Sequence, residues 1–469
     1  MLHNDIRGVK TVAKETQPAK KSYFFGKGYR DLKNTIVEAF SLNVETAKNF
    51  WHDHWGTGKF MSVITIAACV CLYVFGSVFT LSVSLLHVIL LGILFLCVYV
   101  GFSIVWLIDR IYIGIKHIST ACPNDSCQAH FKLPTYVCEC GRKHTNLTPG
   151  SYGILHRQCL CGAKLPTTFF NGRESIPSVC PECGTPLKGS MNRQISIPII
   201  GTKSTGKTCY VNMAVTLMKD QIAPERGWSF EFYNESDSVN YERAFSRLGS
   251  GETPEGTSDH QATAYKFLLS SADWKIPKQV YIYDVAGEIF NDVFEVGSQR
   301  AYGYSNGFLI LIDPFSLTEF AAEFDETELD AACSIQNDLN DMLDVLLVNL
   351  EKMYSLKSKD MLKTSVAVVI NKVDVAGLEE RIGEIGVQQY MEQHPECKDR
   401  MQATNILCEQ FLTQYGAGNF IRTAKAKFNS IQFFTCSVLG HEPDGSMFEP
   451  LRVEEPIMWL LHNEDSSIQ

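Results

Sequence analysis

A run of 48 residues without one charged side chain most constrains how this chain can fold. No Asp, Glu, Lys or Arg occurs within residues 61–108. The run is too long for a core helix of a soluble domain, and a secretory signal is short and lies close to the N-terminus. Because a bilayer crossing takes about 20 apolar residues, the run predicts two membrane-spanning helices within residues 61–107, near 62–81 and 86–107. The turn between them would use the polar residues Ser82, Ser84 and His87.

The charges beside this run indicate which side of the membrane its ends face. Lys48, Lys59, Arg110 and Lys116 flank it, and Lys and Arg concentrate in cytoplasmic segments. Two spans return the chain to the side from which it started. The sequence therefore predicts a multi-pass membrane protein with a cytoplasmic N-terminal arm over residues 1–60 and a cytoplasmic C-terminal part. The alternative is a buried helical hairpin within a large soluble core.

The net charge of −10 is divided unevenly along the chain. Residues 1–60 carry ten Lys/Arg and six Asp/Glu, residues 111–193 carry nine and four, and residues 194–469 carry 22 and 41. The acidic C-terminal part repels a polyanion, so we expect no nucleic-acid partner. The basic excess lies beside the apolar run, where anionic lipid would attract it, and the lipid bilayer is the first expected partner. A solvated tail without a role is the alternative for the N-terminal arm.

Eight of the sixteen cysteines form four close pairs in the segments ACPNDSC, VCECG, QCLCG and VCPECG. Glycine follows three of the pairs and lets the backbone turn so that amide groups point at sulfur. Two such turns supply the four thiolates of tetrahedral Zn²⁺, so residues 118–190 predict two ribbon-like units with structural Cys₄ zinc sites. The predicted ligands are Cys122, Cys127, Cys138, Cys140, Cys159, Cys161, Cys180 and Cys183. Adjacent and interleaved pairing both remain open, as does replacement of one ligand by His144; disulfides and free thiols are the alternatives.

A glycine-rich loop between a predicted strand and a predicted helix indicates a phosphate site. Residues 194–200 read as a strand, residues 209–222 read as a helix, and the loop between them matches GxxxxGK[ST]. Its amides would cradle phosphates at the helix N-terminus, Lys207 would reach the β- and γ-phosphates, and Thr208 would bind Mg²⁺. The predicted nucleotide ligands in this loop are Gly201, Thr202, Lys203, Ser204, Thr205, Gly206, Lys207 and Thr208.

A second motif, DVAGE, predicts the magnesium shell and the residues that respond to the γ-phosphate. Asp284 would hold Mg²⁺ through water, and the Gly287 amide would bond the γ-phosphate. Glu288 would orient or deprotonate the attacking water, but its charge repels the phosphate, so we expect slow hydrolysis. Thr257 is the favoured threonine ligand of Mg²⁺, with Thr263 next; alternatively, these loop threonines never touch the metal. A strand over residues 228–233 and a helix over 236–248 are expected to fill the long interval before this motif.

A third motif selects the base. A buried-type strand over residues 364–370 ends in Asn371, Lys372, Val373 and Asp374. The Asp374 carboxylate can accept hydrogen bonds from guanine N1–H and the N2 amino group, and adenine has neither donor. Lys372 would lie along the base, with Asn371 supporting the loop. A further strand ends just before Ser437 and Val438, which would support the base from the other side. An ATPase is the lesser alternative.

These motifs, in this order and in these strand contexts, resemble the translation-factor-related (TRAFAC) class of P-loop GTPases over residues 194–463. The cysteine ribbons ahead of the P-loop, the DVAGE segment, the strand that ends in Asp313-Pro314 and the segment around Trp459 look like the double-GTPase type of bacterial conflict systems. The resemblance implies an α/β G-domain with a mainly parallel sheet and helices on both faces. It also implies binding of GTP and GDP with Mg²⁺, GTP hydrolysis and a conformational switch.

The combined prediction is a membrane-anchored cytoplasmic GTPase that hydrolyses GTP slowly on its own and works with a protein effector or activating partner. The main alternative is a nucleotide-binding scaffold that recruits partners and does not hydrolyse GTP. A membrane enzyme with a catalytic zinc is a further alternative. It conflicts with eight thiolates, because two Cys₄ sites leave no open coordination position.

Overall fold

The structure, a computed structural model, describes residues 17–56, 58–189, 192–249, 263–284, 300–325, 338–355, 361–440 and 448–468. The chain divides into two units. The first contains Met1–His117 and Leu133–Pro181, and the second contains Ile118–Lys132 and Glu182–Gln469.

The numbered helices are α1 (Lys27–His54), α2 (Lys59–Ile115), α3 (Lys207–Leu217), α4 (Glu235–Gly249), α5 (Leu339–Met353), α6 (Leu378–Arg381), α7 (Glu384–Gln393), α8 (Arg400–Gln414), α9 (Gly418–Lys427) and α10 (Glu454–Glu464). The strands are β1 (Thr120–Ala121), β2 (His130–Phe131), β3 (Thr135–Val137), β4 (Lys143–His144), β5 (His156–Gln158), β6 (Lys164–Pro166), β7 (Ser178–Val179), β8 (Pro186–Leu187), β9 (Arg193–Ile200), β10 (Ser229–Phe232), β11 (Thr263–Ser270), β12 (Lys278–Asp284), β13 (Gly307–Ile312), β14 (Leu362–Ile370) and β15 (Phe428–Thr435). Short helical turns lie at Tyr23–Phe25, Phe169–Asn171, Arg173–Ser175, Met218–Ile222, Ala223–Glu225, Arg300–Tyr304, Pro314–Ser316 and Thr318–Ala321.

Two antiparallel helices dominate the first unit. The Asn43 side chain of α1 donates to Thr80 of α2 at 2.6 Å. Closer to the start of α1, the Tyr29 ring packs edge-on against Phe95, with 4.8 Å between centroids. Most apolar side chains of α2 remain exposed. Within the described residues, α2 is the one helix long and apolar enough to cross a membrane.

The helix α2 runs without a break through residues 82–87, where the sequence predicted a turn. The prediction of two spans is therefore not supported. Residues 82–87 contain neither glycine nor proline. The Ser82 hydroxyl donates to the Val78 carbonyl at 2.9 Å, so this polar side chain is satisfied inside a helix. At 1.5 Å per residue, the 57 residues of α2 extend about 86 Å, almost three times the thickness of a bilayer core.

A buried ion pair attaches the small hairpins of the first unit to the end of α2. Asp109, the one acidic residue of α2, is buried and accepts from Arg173 Nη1 at 2.9 Å and from the Phe169 amide at 3.1 Å. The same guanidinium nitrogen donates to the Thr167 carbonyl at 2.7 Å. These hairpins are β3–β4 and β5–β6, with β7 paired to β3.

The second unit is built on a seven-stranded sheet of order β10-β11-β12-β9-β13-β14-β15. Strands β12, β9, β13, β14 and β15 are parallel, and β11 is antiparallel to both of its neighbours. Leu343 of α5 and Phe411 of α8 pack on one face, whereas Val211 of α3 and Leu460 of α10 pack on the other. The expected α/β fold with a mostly parallel sheet is confirmed. The additional strand and helix expected ahead of the second motif are present as β10 and α4.

Candidate nucleotide-binding site and cysteine clusters

The glycine-rich loop connects β9 to α3 through two residues in left-handed backbone, Ser204 (φ 65°) and Gly206 (φ 85°). A Cβ on Gly206 would lie 2.9 Å from Asn371 Nδ2, and a Cβ on Gly201 would lie 2.8 Å from the Leu311 carbonyl oxygen. Both glycines are therefore required where the loop passes close to the ends of neighbouring strands.

The side chain of Lys207 is folded back over this loop. Its Nζ donates to the carbonyls of Gly201 and Thr202, each at 2.8 Å. Burial lowers the pKa of Lys207 to about 8, against the opposing effect of the nearby Asp284 carboxylate. A bound polyphosphate would favour the charged ammonium and raise this pKa again. The loop therefore presents a cation within a ring of backbone groups, which suits a phosphate ligand.

Thr208 and Asp284 meet at the carboxyl edge of the sheet. Asp284 ends β12 and pairs in register with Ile199 of the adjacent parallel strand β9. The Thr208 hydroxyl donates to Asp284 Oδ2 at 2.8 Å. A hydroxyl and a carboxylate are the oxygen ligands that Mg²⁺ prefers, so these residues fit the predicted magnesium site.

The structure does not describe most of the other residues predicted to respond to the γ-phosphate or to bind Mg²⁺. Thr257, Gly287 and Glu288 lie outside the described residues, so their roles stay predictions. The backbone of Thr263, the alternative magnesium ligand, pairs with Asp284 across β11 and β12.

Asn371 joins the predicted base-reading loop, residues 371–374, to the phosphate loop, residues 201–208. Its Nδ2 donates to the Thr205 carbonyl at 3.1 Å, and its backbone amide donates to the Ile312 carbonyl at 2.9 Å. The Cys436 thiol donates to Asn371 Oδ1 at 3.5 Å. The buried Asn371 amide thus connects elements from three parts of the sequence.

The residues that follow Asn371 form an open loop beside it. Lys372 has left-handed backbone (φ 59°), and its Nζ forms an ion pair with Asp313 at 2.6 Å. Asp374 is half-buried. This arrangement brings Lys372 and Asp374 to the edge of the sheet where the phosphate loop also lies. The contact of either side chain with a base stays a prediction.

The predicted fourth segment lies beside this loop. The Val373 amide donates to the Cys436 carbonyl at 3.3 Å. Ser437 and Val438 are both buried. The Ser437 hydroxyl accepts from the Gly440 amide at 2.9 Å, so in this structure it shapes its own turn.

Sequence reasoning missed an ion pair that connects the segment after Asn371 to the segment after β15. Arg452 donates to both carboxylate oxygens of Glu379, at 2.9 and 2.6 Å, and its Nε donates to the Thr435 carbonyl at 3.2 Å. Glu379 lies in α6, directly after the loop of Asp374. The two partners are 73 residues apart, and neither belongs to a motif, so no local signal in the sequence indicates their contact.

The inner four cysteines form a cluster with the geometry of a zinc site. The Sγ atoms of Cys138, Cys140, Cys159 and Cys161 all lie within 4.8 Å of one another. The Cys138–Cys161 distance is 3.6 Å and the Cys140–Cys159 distance is 3.7 Å. Four thiolates at about 2.3 Å from a tetrahedral Zn²⁺ stand about 3.8 Å apart, so the cluster fits this metal.

Ionisation of this cluster is favoured at one thiol. Desolvation opposes the charged form of Cys159. The backbone and side chain of Cys161, together with His144 and Cys140, outweigh this effect and lower the pKa of Cys159 to about 5. His144 is buried beside Cys159 and is not part of the four-sulfur group. The structure therefore places His144 next to the four clustered thiols and not among them.

Three of the outer cysteines, Cys122, Cys127 and Cys183 of the second unit, form another group, with their Sγ atoms also within 4.8 Å of one another. The Cys122–Cys183 distance is 3.4 Å. The first pair in the sequence thus groups with Cys183 of the fourth pair, and the second pair groups with the third. This outcome resolves the pairing that the sequence left open, and zinc itself stays a proposal.

Comparison with known families finds a match over the part of the chain that contains the candidate nucleotide site. Residues 195–420 match the family model described as Double-GTPase 2. The matched region contains the phosphate loop, Asp284 and the residues from Asn371 to Asp374. This match confirms the resemblance to a double-GTPase-type P-loop GTPase. A search of curated proteins found no match to this chain.

Three solved structures resemble this chain distantly. Methanosarcina barkeri Roco2 RocCORdC bound to GDP is 11% identical, with 57% of this chain and 49% of that chain covered and a TM-score of 0.21. The sup35 complex with GDP is 13% identical, with 53% and 38% covered and a TM-score of 0.20. The S. cerevisiae Ski7 GTPase-like domain bound to GTP is 12% identical, with 58% and 50% covered and a TM-score of 0.27. This chain spans half or less of each, and we draw no functional conclusion from likenesses at this level.

Proposed function

We propose that this chain, whose residues 195–420 match the Double-GTPase 2 family model, is a membrane-associated protein that binds GTP and GDP and hydrolyses GTP slowly. Nucleotide binding and hydrolysis would drive a conformational switch that a protein effector or activating partner reads. The two cysteine clusters would hold structural zinc ions.

The hydrogen bond from Asn371 to the Thr205 carbonyl carries the nucleotide part of this proposal. It connects the phosphate loop to the base-reading loop at one edge of the sheet. Lys207 then lies on the phosphate side and Asp374 on the base side. In open α/β sheets, ligands bind in the crevice at the carboxyl ends of the strands, which is where these residues lie.

The residues suggest how hydrolysis would proceed. Lys207 would bind the β- and γ-phosphates, and Thr208 with Asp284 would hold Mg²⁺, which neutralises charge that develops on the phosphates. Asp374 and Lys372 would fix the guanine base, so that the γ-phosphate meets an attacking water in one orientation. Glu288 is the sequence-based candidate to orient that water. Its negative charge is the reason that we expect slow turnover.

A nucleotide titration followed by single turnover tests this function. The full chain in lipid nanodiscs is titrated with fluorescent GDP in the presence of Mg²⁺, and GTP and ATP compete. Phosphate release from bound GTP is then followed, with Lys207→Ala as the control without phosphate binding. We expect guanine-selective binding and slow release. Guanine binding without release would favour the non-hydrolysing scaffold, and equal competition by ATP would contradict the proposal.

The exposed apolar side chains of α2 support membrane association. Phe75 and Phe79 are 71% and 72% exposed, and Phe60 is 79% exposed. Such a surface is far larger than the apolar patches that soluble monomers expose. We expect the full chain to float with neutral liposomes in a density gradient, and a variant that lacks residues 59–115 to stay with the soluble fraction. Recovery of the full chain in the soluble fraction would contradict this part of the proposal.

A further inference from the structure

A buried carboxylate lies beneath the base-reading loop. Asp313 directly follows β13, is 1% exposed and accepts from Lys372 Nζ at 2.6 Å. Strands β13 and β14 are parallel neighbours, with Ile312 opposite Ile370. The ion pair therefore connects the residues that leave two adjacent strands at the same edge of the sheet.

The Asp313 side chain is held from a second direction. Its Oδ1 accepts from the Phe315 amide at 3.0 Å and caps the helical turn Pro314–Ser316. The Ser316 hydroxyl donates to the Asp313 carbonyl at 2.7 Å. The proline ring at position 314 further restricts the backbone of this turn. The carboxylate is thus fixed by its own turn, and the longer lysine side chain must adapt to it.

Lys372 needs such a partner more than an ordinary surface lysine does. Its side chain is 22% exposed, and its backbone is in the left-handed region at φ 59°. A lysine side chain loses much rotamer freedom when it is ordered, and a ligand that must order it binds less tightly. A lysine without a partner would also be drawn to the nucleotide phosphates, away from the base.

We propose that Asp313 is a positioning residue for guanine-nucleotide binding. It holds the Lys372 ammonium in place before the nucleotide arrives, so that the methylene groups of Lys372 lie ready to cover the base. Asp313 itself touches no nucleotide in this account and acts only through Lys372. The inference rests on the proposed nucleotide function, and it gives a role to Asp313, to which the sequence analysis assigned none.

A double-mutant cycle on GDP affinity tests this role. The full chain in nanodiscs is compared with Asp313→Asn, Lys372→Met and the double variant, by titration with fluorescent GDP and by its rate of dissociation. The asparagine side chain keeps an oxygen for the cap and loses the charge that holds Lys372. One charge-assisted hydrogen bond corresponds to about a tenfold change. We expect Asp313→Asn to bind GDP about tenfold more weakly through faster dissociation.

Coupling distinguishes positioning from a general structural role. Because Asp313 acts through Lys372, the double variant is expected to bind GDP no more weakly than Lys372→Met alone. The matched control is Asp399→Asn, since Asp399 also caps a helix through a backbone amide, that of Met401 at 3.0 Å. We expect this control to bind GDP like the unmodified chain.

Four outcomes would overturn the inference or its premise, and they can be told apart. Unchanged GDP affinity in Asp313→Asn, or additive losses in the double variant, would overturn the positioning role. An unmodified chain that does not bind GDP would instead overturn the proposed function. If Asp313→Asn does not fold, Lys372→Arg is compared with Lys372→Met. Arginine keeps the ion pair and should recover most of the lost affinity, and failure to recover it would overturn the role.

Discussion

Replacement of Gly206 by alanine tests whether the phosphate loop and the base-reading loop form one site. Gly206 has φ 85° and ψ 21°. Left-handed backbone costs an L-residue roughly 1–2 kcal/mol. Gly227 offers a matched control, because it has φ 67° and nothing within 4 Å of an added Cβ. Both substitutions carry the same backbone penalty, and only the one at Gly206 meets an obstacle.

The contacts of Gly206 give the size of the additional effect. The new methyl would lie 2.9 Å from Asn371 Nδ2, which must then leave the Thr205 carbonyl. Loss of a buried hydrogen bond costs about 1–3 kcal/mol. If nucleotide binding requires the loop geometry that this hydrogen bond maintains, the affinity for GDP drops by roughly 5- to 150-fold. We expect Gly227→Ala to lose only the backbone contribution, roughly 1–2 kcal/mol of stability, with no change in GDP affinity.

The assay measures GDP affinity and unfolding for both variants in the same nanodiscs. Chemical denaturation reports the loss of stability, and displacement of fluorescent GDP reports affinity. Weak GDP binding in Gly206→Ala beside normal binding in Gly227→Ala would support one joined site. Normal GDP binding in Gly206→Ala, with a loss of stability like that of Gly227→Ala, would refute the reasoning. The two loops would then act independently.

Three further outcomes follow from the site residues. Because burial lowers the pKa of Lys207 to about 8 and phosphate binds the charged ammonium, GTP affinity should be constant at low pH. It should fall by up to about tenfold per pH unit as the pH rises above that pKa, and an affinity that stays flat there would contradict the assigned contact. Asp374→Asn should lose its preference for guanine and gain affinity for xanthine nucleotides, because the C2 carbonyl of xanthine accepts a hydrogen bond where guanine donates one. Competition between GDP and XDP measures this change. Retained guanine selectivity would argue against Asp374 as the residue that recognises the base. Metal analysis should find two zinc ions per chain and about one in Cys138→Ser, because the eight predicted cysteine ligands suffice for two Cys₄ sites. An unchanged zinc content would exclude the inner site.

The phosphate and base motifs were readable from the sequence because their chemistry is local. Residues 201–208 are contiguous, and the strand before them and the helix after them are visible as apolar patterns. The same holds for the strand that ends in Asp284 and the strand that precedes Asn371. A buried parallel strand reads as a continuous apolar run, so β9, β13 and β14 could be recognised and the mostly parallel sheet inferred.

The contacts that organise the site were not readable, because they depend on which strand ends become neighbours. Asp313 and Lys372 are 59 residues apart, and Glu379 and Arg452 are 73 apart. Strand order and register bring each pair together, and neither follows from composition or periodicity. The grouping of the cysteine pairs is a question of the same kind. The turn predicted at residues 82–87 failed for a different reason, since serine and histidine are compatible with a helix when their polar groups are satisfied locally.

The hairpin of α1 and α2 leads to one more expectation, because its packing conflicts with a bilayer. The helix α1 carries four basic and four acidic residues, and it lies along α2 with Asn43 against Gly76 and Thr80. A charged side chain in hydrocarbon costs about 2.5 kcal/mol or more, so eight would cost roughly 20 kcal/mol. The few hydrogen bonds and the aromatic contact between the two helices, each worth about 1 kcal/mol, cannot offset this.

We therefore expect α1 to leave α2 when α2 enters lipid. A photoreactive amino acid at position 43 should cross-link to residues 76–80 in lipid-free protein and lose this cross-link in nanodiscs. The matched control is position 42, because Leu42 is the adjacent residue and is 55% exposed. A cross-link from position 43 that persists in nanodiscs would contradict this expectation. Such a result would mean that α1 and α2 stay packed together in nanodiscs. Because the charged side chains of α1 must remain in water, the intact hairpin would then lie outside the hydrocarbon.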